Sequence, residues 1–401
     1  MKNNIFIKSF LVITLIFLFS SCGKQVKQEL PNTGEIEIVE SVPVETSPDN
    51  SDLRKTQTVW LEMFNAAKVS IDMEEYFFLN QKGEPLDDVI QALINAGKRG
   101  VKIRIIADTK MYNTYKETLD ILSLQKNFES RLMEFGNLTG GIQHANYFIV
   151  DTEQIFIGCQ GFDWRSLKHN HALGVRVRHH DFVKVYRDIF EHDWQFSNFN
   201  TSYPDFEYTD VIVKSFSFAT AKYDTVSLIP SFSPIGYIPV AANFDETQVL
   251  RQIYNAKQSV SLQFDIYNPV GSDSKYYGAL DSALMQASKR RIKVKLLISD
   301  RSVSDKSSEY IKKLASNPNI EIKYIKSSPE LSNNTSPGAE QCKFIVSDSS
   351  SCWLGSCNAE KSSFFNNREA GVVINNRAIA TRMYDIFMKE WNSQANGELV
   401  K

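Results

Sequence analysis

Residues 341–348 read QCKFIVSD, and residues 144–151 read HANYFIVD. In both stretches a short polar segment leads into an apolar run that ends at an aspartate, Asp348 or Asp151, and the two stretches lie 197 positions apart. The same offset, without a gap, places Trp194 on Trp391. The 52 aligned pairs that begin at residues 144 and 341 hold ten identities, where typical residue frequencies would give roughly three. The pattern predicts a tandem duplication.

Both copies also show the same order of helices and strands upstream of these stretches. Residues 56–68 have the apolar spacing of an amphipathic helix, and Pro85 is typical of the first turn of a second helix, which runs through Arg99. Residues 101–107 alternate as a strand does, and residues 283–297 repeat this helix and strand. A strand, a helix and a further strand indicate a parallel βαβ unit. The predicted fold class is α/β, with two sandwich lobes at residues 56–215 and 216–395.

The first 22 residues have the features of an export signal. Lys2 and Lys8 precede an apolar run over residues 10–19, and small residues lead to Cys22. This arrangement resembles a bacterial lipoprotein signal, in which Cys22 becomes the lipid-carrying N-terminus. The alternative is an uncleaved signal anchor, although the run is shorter than the about 20 residues of a typical span. Both alternatives predict an exported chain tethered to a membrane. Residues 23–55 are polar and contain three prolines, so they are predicted to be a disordered tether.

Composition narrows the classes of function and of site. A net charge of −2 argues against the basic surface field that attracts nucleic acid or an anionic membrane. The five cysteines lack the spacing of a zinc site, and a disulfide among the last three stays open. His169 and His171 would share a strand face, but no third ligand has a fixed spacing to them. No metal and no cofactor are therefore predicted, and the oligomeric state is left open.

Two further elements follow the apolar strand of the second copy. Residues 355–358 read GSCN, and Glu369 precedes a strand that contains a glycine. Together with residues 341–348 they resemble the motifs of the phospholipase D superfamily, which read HxKxxxxD, then GSxN, then a glutamate. Residues 161–167, GFDWRSL, are similar to the matching loop of animal lysosomal five-prime exonucleases and poxviral envelope phospholipase-like proteins. The resemblance covers about residues 56–395.

This resemblance implies a fold, a reaction and a set of roles. The two α/β lobes would meet at a pseudo-twofold interface, where one motif from each lobe builds a shared active site. The implied reaction is phosphodiester cleavage without a metal ion. One motif histidine attacks phosphorus and forms a phosphohistidine, while the other protonates the leaving oxygen and later activates water. Two lysines and two asparagines would hold the phosphoryl oxygens.

The two lobes depart from the family pattern at different positions. Lobe one keeps His144 but has Asn146 where the lysine is expected, and lobe two keeps Lys343 but has Gln341 where the histidine is expected. A glutamine exchanges no proton near neutral pH, so one of the two acid–base steps has no obvious agent. The residues expected to be catalytic are His144, Lys343, Asp151 and Asp348, and those expected to bind substrate are Asn358, Ser356, Glu369, Asn146 and Gln341. Asp151 and Asp348 also fit a structural role at the interface.

Three functions are compatible with half a set of motif residues. The chain can be a slow phosphodiesterase with His144 as nucleophile, a pseudoenzyme that binds an anionic phosphodiester at Lys343 and Asn358, or a scaffold at the cell surface. Complementation between two copies of the chain is a further alternative. The membrane tether favours a phospholipid as substrate, and the resemblance to the exonucleases favours single-stranded nucleic acid.

Overall fold

The computed structural model describes residues 33–45, 50–198, 202–205, 213–271, 274–300, 305–325, 340–393 and 396–400. Residues 1–32, which contain Cys22 and the predicted export signal, lie outside this described part. Within the described part, no helix is long and apolar enough to cross a membrane.

Lobe one contains ten strands and seven helices within the described residues. The strands are β1 Glu35–Ser41, β2 Arg54–Lys55, β3 Ser70–Glu75, β4 Phe78–Leu79, β5 Lys102–Asp108, β6 Phe128–Met133, β7 Tyr147–Val150, β8 Gln154–Gly158, β9 Phe162–Asp163 and β10 Ala172–Arg178. The helices are α1 Thr56–Ala66, α2 Pro85–Arg99, α3 Thr109–Tyr112, α4 Glu117–Ser123, α5 Gly136–Thr139, α6 Trp164–Lys168 and α7 His180–Phe196.

Lobe two repeats this arrangement with eleven strands and five helices in the described residues. The strands are β11 Phe216–Ala219, β12 Thr225–Ser233, β13 Ser259–Phe264, β14 Tyr267–Asn268, β15 Lys293–Ser299, β16 Ile320–Ile325, β17 Phe344–Ser347, β18 Ser351–Gly355, β19 Ala359–Glu360, β20 Glu369–Asn375 and β21 Asn396–Leu399. The helices are α8 Asp245–Asn255, α9 Ala279–Lys289, α10 Asp305–Ala315, α11 Lys361–Phe365 and α12 Arg377–Asn392.

The two large sheets share one strand order. Lobe one runs β2-β1-β10-β8-β7-β3-β5-β6, and lobe two runs β11-β12-β20-β18-β17-β13-β15-β16-β21. In both, the βαβ strands pair in parallel and the motif strands β7 and β17 pair antiparallel to their neighbours. The predicted α/β class and the duplication of whole lobes are therefore confirmed.

Local sequence explains where the crossover helix α2, which connects β3 to β5, begins and ends. Pro85 occupies the first turn with Asp87 and Asp88, while Lys98 and Arg99 lie in the last turn. These charges complement the helix dipole at both ends. Gly100 then ends the helix in the left-handed conformation, with φ of 103°. The chain then enters β5 at Lys102, within the predicted strand of residues 101–107.

The prediction of a disordered tether over residues 23–55 is wrong for β1 and β2. Residues 35–41 read EIEIVES, and Ile36 and Ile38 are buried on the core face of the sheet. The strand pairs antiparallel with β10, from Glu35 opposite Arg178 to Ser41 opposite Ala172. Such period-two alternation outweighs the acidic, proline-containing composition that suggested disorder.

The predicted end of lobe two at residue 395 is wrong as well. β21 begins at Asn396 and adds an antiparallel edge strand beside β16.

One of the two hydrophobic clusters in the described residues spans both lobes, and the other lies within lobe one. Buried residues of α7 in lobe one and of β12, β17 and β20 in lobe two belong to the same cluster. Tyr186 of α7 donates a hydrogen bond to Gly371 O of β20 at 2.6 Å, and its ring lies 4.7 Å from that of Phe232 in β12. Because this interface is packed like a domain core, side chains placed along it have fixed positions.

Candidate active site

Two short backbone bridges join the lobes, and each carries one copy of the motif. The backbone N–H of His144 donates to Arg368 O at 2.9 Å, and that of Gln341 donates to His171 O at 2.8 Å. The 197-residue offset converts the first pair into the second, since 144 corresponds to 341 and 171 to 368. The bridges are thus related by the pseudo-twofold symmetry. Both motif positions lie where the lobes meet.

His144 and Glu369 form the centre of the site. Glu369 starts β20 in lobe two and is fully buried, and its carboxylate oxygens lie 2.9 and 3.0 Å from Nδ1 of His144 in lobe one. Ser356 Oγ donates to the same carboxylate at 2.6 Å, and Asn367 Nδ2 donates to it at 3.4 Å. Tyr76 stacks its ring edge against the imidazole, with 5.0 Å between ring centroids. The predicted residues Ser356, Glu369 and His144 are therefore in one hydrogen-bonded group.

This geometry fixes which nitrogen of His144 can react. A carboxylate only accepts hydrogen bonds, so the hydrogen of a neutral imidazole resides on Nδ1 and the lone pair on Nε2. The His144 side chain is 18% exposed, so the ring is open to solvent. An imidazole oriented by a buried carboxylate is the arrangement that nucleophilic and acid–base catalysis use.

Lys343 and Asn358, the lobe-two residues predicted to act on the phosphoryl group, are both buried. Lys343 is 4% exposed, its Nζ donates to Gln341 O at 3.0 Å, and its backbone N–H donates to Cys159 Sγ at 3.1 Å. Asn358 Oδ1 accepts from Ile266 N at 3.3 Å. Burial raises the pKa of the Cys357 thiol well above its usual range; Glu369 adds to this rise and Lys343 opposes it. Both charges therefore act on the loop that carries Asn358.

The two substituted motif residues make hydrogen bonds within the protein. Gln341 Oε1 and Asp163 Oδ2 lie 3.1 and 2.5 Å from Ser166 Oγ, whose single hydrogen can go to either acceptor. Asn146 Oδ1 lies 3.5 Å from Tyr76 N, and its Nδ2 donates to His144 O at 3.3 Å. These contacts hold the backbone of the motif segments. They leave the predicted substrate-binding roles of Gln341 and Asn146 without support from the structure.

Sequence analysis missed Tyr76 and Glu360. Burial raises the pKa of the Glu360 carboxyl, a hydrogen bond from Ser362 opposes this rise, and the charges of Glu369 and His144 act on it in opposite directions. The 197-residue offset places Glu360 on Asp163, which is an acidic residue in the corresponding loop of lobe one. That correspondence was a signal available in the sequence. Tyr76 had no comparable signal, because its contact with His144 arises only from the tertiary fold.

The structure places the carboxylates of Asp151 and Asp348, which were predicted to be catalytic, on backbone N–H groups rather than beside His144. Asp151 lies at the far end of β7 from His144, seven residues along an extended chain or roughly 20 Å. Its carboxylate accepts hydrogen bonds from the backbone N–H groups of Lys68, Val69 and Ser70 at 2.7 to 3.1 Å. Asp348 repeats these contacts on residues 257–259 of lobe two. Each aspartate therefore stabilises the turn that leads into the first strand of its βαβ unit, β3 or β13.

We expect Asp151→Ala to lower the free energy of unfolding by about 1–2 kcal/mol, because three backbone donors lose their acceptor. The backbone at Asp151 has φ of 55°, a left-handed conformation that alanine disfavours and asparagine tolerates. Asp151→Asn is the matched control, since it keeps an acceptor and suits the backbone, and its cost should be smaller. Chemical unfolding of both variants measures the difference. A catalytic role would instead require Asp151→Asn to lose substrate turnover at unchanged stability.

Comparison with known proteins agrees with this geometry. The profile of the family described as "Cardiolipin synthase, PLD-like domain" matches residues 60–194 and residues 249–391, once in each lobe. Phospholipase D Z of Dictyostelium discoideum is 23% identical over 393 residues, which span 90% of this chain and 90% of that protein. The 5'-3' exonuclease PLD3 of Xenopus laevis is 25% identical over 423 residues, 94% of this chain and 85% of that protein.

A solved structure gives the same result for the fold. The crystal structure of phosphatidylserine synthase from Haemophilus influenzae superposes with a TM-score of 0.58 at 9% identity, over 86% of this chain and 85% of that one. The two family matches cover more than half of the chain, one on each side of the interface that holds His144 and Glu369. The chain belongs to the phospholipase D superfamily, in the family of cardiolipin synthase PLD-like domains.

Proposed function

We propose that this protein is a slow phosphodiesterase that uses His144 as its one motif histidine. The observation that carries the proposal is the contact between His144 and Glu369 across the lobe interface, with 2.9 Å between Nδ1 and the carboxylate. A carboxylate that is fully buried and also bonded to Ser356 and Asn367 keeps the imidazole in one orientation. A scaffold protein gains nothing from such a preorganised nucleophile at a partly exposed position.

The reaction would proceed in two displacements at phosphorus. Nε2 of His144 attacks the phosphodiester, the N–P bond forms, and the bond from phosphorus to the leaving oxygen breaks with its electron pair on that oxygen. Water then attacks the phosphohistidine, so that the N–P bond breaks and the phosphomonoester is released. Lys343 and Asn358 would stabilise the negative charge on the phosphoryl oxygens in both steps. Because lobe one supplies neither a lysine at 146 nor an asparagine at 161, this stabilisation is weaker than with a full set.

Glu360 is our candidate for the proton donor that Gln341 cannot be. Burial raises the pKa of its carboxyl and Glu369 adds to the rise, while hydrogen bonds from Ser362 and Ser363 and the charge of His144 oppose it. The net rise keeps more of the carboxyl protonated as the pH approaches neutrality. A protonated carboxyl can give its proton to the leaving oxygen in the first displacement and take one from water in the second. Asp108 also feels the charge of His144, but its carboxylate accepts from Met111 N and Gln143 N and is committed to them.

We expect Glu360→Gln to lower kcat by about 10²-fold or more for substrates with poor leaving groups. The wild-type rate should fall as the pH rises through the raised pKa of Glu360, because an acid with a raised pKa is active below that value and lost above it. The variant should lack this alkaline limb. With a p-nitrophenyl diester, whose leaving group needs no proton, both proteins should release the first equivalent of p-nitrophenol at similar rates, and only later turnovers, which need water activation, should be slower in the variant. An equal loss in the first turnover of both substrates would assign Glu360 a merely structural role.

The substrate and the site of action are part of the same proposal. The lipoprotein-like pattern of residues 1–22 supports an exported protein held at a membrane through lipid on Cys22, which makes a phospholipid the first candidate substrate. The similarity to an exonuclease supports single-stranded nucleic acid as the second. Hydrolysis assays with a phosphatidylglycerol vesicle, a single-stranded oligonucleotide and a p-nitrophenyl diester separate these cases. Loss of membrane association in Cys22→Ala tests the tether.

A second candidate function is binding without turnover. It is favoured by the substituted motif residues Gln341 and Asn146, whose side chains bond to Ser166 and to the His144 backbone. In that case the site would retain a phosphodiester at Lys343 and Asn358 but not cleave it. Binding of a non-hydrolysed diester that Lys343→Gln weakens, with no product from any substrate in the panel, would establish this alternative.

A further inference from the structure

A buried cluster of ligand-type side chains lies on the second inter-lobe bridge. His171 comes from the segment before β10 in lobe one, and Glu340 and Cys342 come from the segment before β17 in lobe two. The imidazole nitrogen, carboxylate oxygen and sulfur of these residues all lie within 4.8 Å of one another, and all three residues are buried. Glu340 and Cys342 are the immediate neighbours of Gln341.

Distances within the cluster come close to those of a tetrahedral zinc site. With Zn–N of about 2.1 Å, Zn–S of about 2.3 Å and Zn–O of about 2.0 Å, tetrahedral angles require about 3.6 Å between N and S and about 3.3 Å between N and O. Nδ1 of His171 lies 3.6 Å from Cys342 Sγ and 2.8 Å from Glu340 Oε2. An opening of about 0.5 Å between nitrogen and oxygen admits the ion. Glu390 Oε1 lies 3.8 Å from the same nitrogen but outside the three-residue group, so its side chain would have to move closer to supply a fourth ligand.

The other face of the His171 ring is held as in metal-binding histidines. Nε2 lies 2.9 Å from Glu40 Oε1, which is buried and accepts from Asn50 Nδ2 at 2.6 Å. A carboxylate that accepts from the second ring nitrogen fixes the tautomer with its lone pair on Nδ1, the nitrogen that faces Glu340 and Cys342. Without a metal, the 2.8 Å contact with Glu340 Oε2 places a hydrogen on Nδ1 as well. When zinc binds, this hydrogen would leave and Nδ1 would present its lone pair to the ion, while Nε2 keeps its hydrogen bond to Glu40.

Pseudo-symmetry shows what changed at this bridge. On the first bridge, the residue equivalent to His171 is Arg368, whose guanidinium reaches the buried Asp193. On the second bridge, the positions of Arg368 and Asp193 are taken by His171 and Glu390. A shorter side chain thus replaces the arginine, so one permanent cation is lost.

The same comparison shows what the second bridge gained. Glu340 replaces Gln143, and Cys342 replaces Ala145. Three carboxylates and a thiol now surround one imidazole, because Glu40 also contacts it. A protonated His171 would balance one of these negative charges, and the remaining buried charge favours a further cation at the cluster.

We propose that His171, Glu340, Cys342 and Glu390 bind one zinc ion that links the two lobes. Nitrogen, sulfur and carboxylate ligands together suit Zn²⁺ better than Mg²⁺ or Ca²⁺, which take oxygen ligands. Cys342 enters as the thiol and loses its proton to solvent when the Zn–S bond forms. With four protein ligands the site is structural and has no open position for substrate. It would fix the segment that leads to Lys343, independently of whether the protein turns over a phosphodiester.

The test is metal analysis of the full chain purified without chelator. We expect about one zinc per chain and, after exchange, a Co²⁺ form with sulfur-to-cobalt charge-transfer absorption. Cys342→Ala should lose that absorption and most of the zinc. Cys352→Ala, which removes another fully buried thiol outside the cluster, should keep both. Glu40→Gln, which alters only the carboxylate behind the imidazole, should weaken zinc binding about 10–100-fold at unchanged stoichiometry.

The competing arrangement is a metal-free ion pair between protonated His171 and its carboxylates. It predicts a folded wild-type chain with no bound zinc, no cobalt–sulfur absorption and a melting temperature unaffected by added zinc. That set of results would overturn the proposal. Zinc retained equally by wild type and Cys342→Ala would place the ion elsewhere and would overturn it as well.

Discussion

His144→Ala is expected to abolish hydrolysis, with a loss in kcat/KM of at least about 10³-fold on every substrate that the wild-type protein cleaves. The alanine variant has no nucleophile at the lobe interface, and Gln341 at the pseudo-symmetric position cannot replace it. Glu369→Gln, which keeps the volume but not the charge that orients Nδ1, should lose about 10²–10⁴-fold, as expected for a positioning residue. Steady-state kinetics on purified full-length protein gives both values.

His180→Ala is the matched control for the loss of an imidazole. The His180 side chain lies at the start of α7, is 60% exposed and faces Glu153, so its removal should leave kcat/KM unchanged. Turnover that survives in His144→Ala would mean that another site or a contaminant performs the reaction. If the wild-type protein has no activity, but the Gln341→His plus Asn146→Lys variant gains it, the natural protein is the binding-only alternative on an intact scaffold.

Much of the fold could be predicted because the duplication carries its own evidence. The stretch at residues 144–151 and its copy at 341–348 identified the motif strands, and the helix spacing after Pro85 identified the βαβ unit. β1 was missed because composition was given more weight than the alternation of Ile36 and Ile38. Strand β21 was missed because its pairing partner, β16, lies more than seventy residues earlier in the chain.

The site was predictable only as far as local motifs reach. The family resemblance predicted His144, Ser356 and Glu369 as site residues. The structure brings these three together across the interface. The resemblance could not separate the aspartates that follow the motif strands from the catalytic set, because their contacts are with backbone groups at the opposite end of the strand. A catalytic and a structural carboxylate cannot be distinguished in the sequence, because the difference lies in the hydrogen-bond donors that surround each of them in the fold.

Long-range pairing explains the remaining misses. His171 was considered as a metal ligand and set aside for want of a partner at fixed spacing, yet its partners lie about 170 residues downstream in the other lobe. A ligand set that is divided between duplicated lobes leaves no spacing signature in either copy. The same is true of Arg368, whose carboxylate partner Asp193 lies 175 residues upstream.

Arg368→Met is expected to lower the free energy of unfolding by about 3–5 kcal/mol, the largest effect on stability among our predictions. Arg368 and Asp193 are both fully buried, with 2.9 Å between the guanidinium and the carboxylate. The arginine also donates to Ser233 O and to Tyr203 Oη. Burial opposes the charge of Arg368, but Asp193 and its neighbours outweigh it and raise the pKa of the guanidinium. Methionine would leave the Asp193 charge in the core without a cation, with the hydrogen bond from Tyr203 Oη still in place.

A double-mutant cycle separates the ion pair from the loss of packing. Asp193→Leu should also be strongly destabilising, whereas Arg368→Met plus Asp193→Leu should cost clearly less than the sum of the two, because no lone charge then remains. Arg382→Met is the matched control: Arg382 pairs with Asp52, whose side chain is 62% exposed, and donates to Asn50 Oδ1 at 3.0 Å, so the variant should lose only about 1 kcal/mol. Equal costs for Arg368→Met and Arg382→Met would show that the buried pair does not hold the lobes together. A large and coupled cost would link stability to function directly, since the backbone carbonyl of Arg368 accepts the hydrogen bond that positions His144.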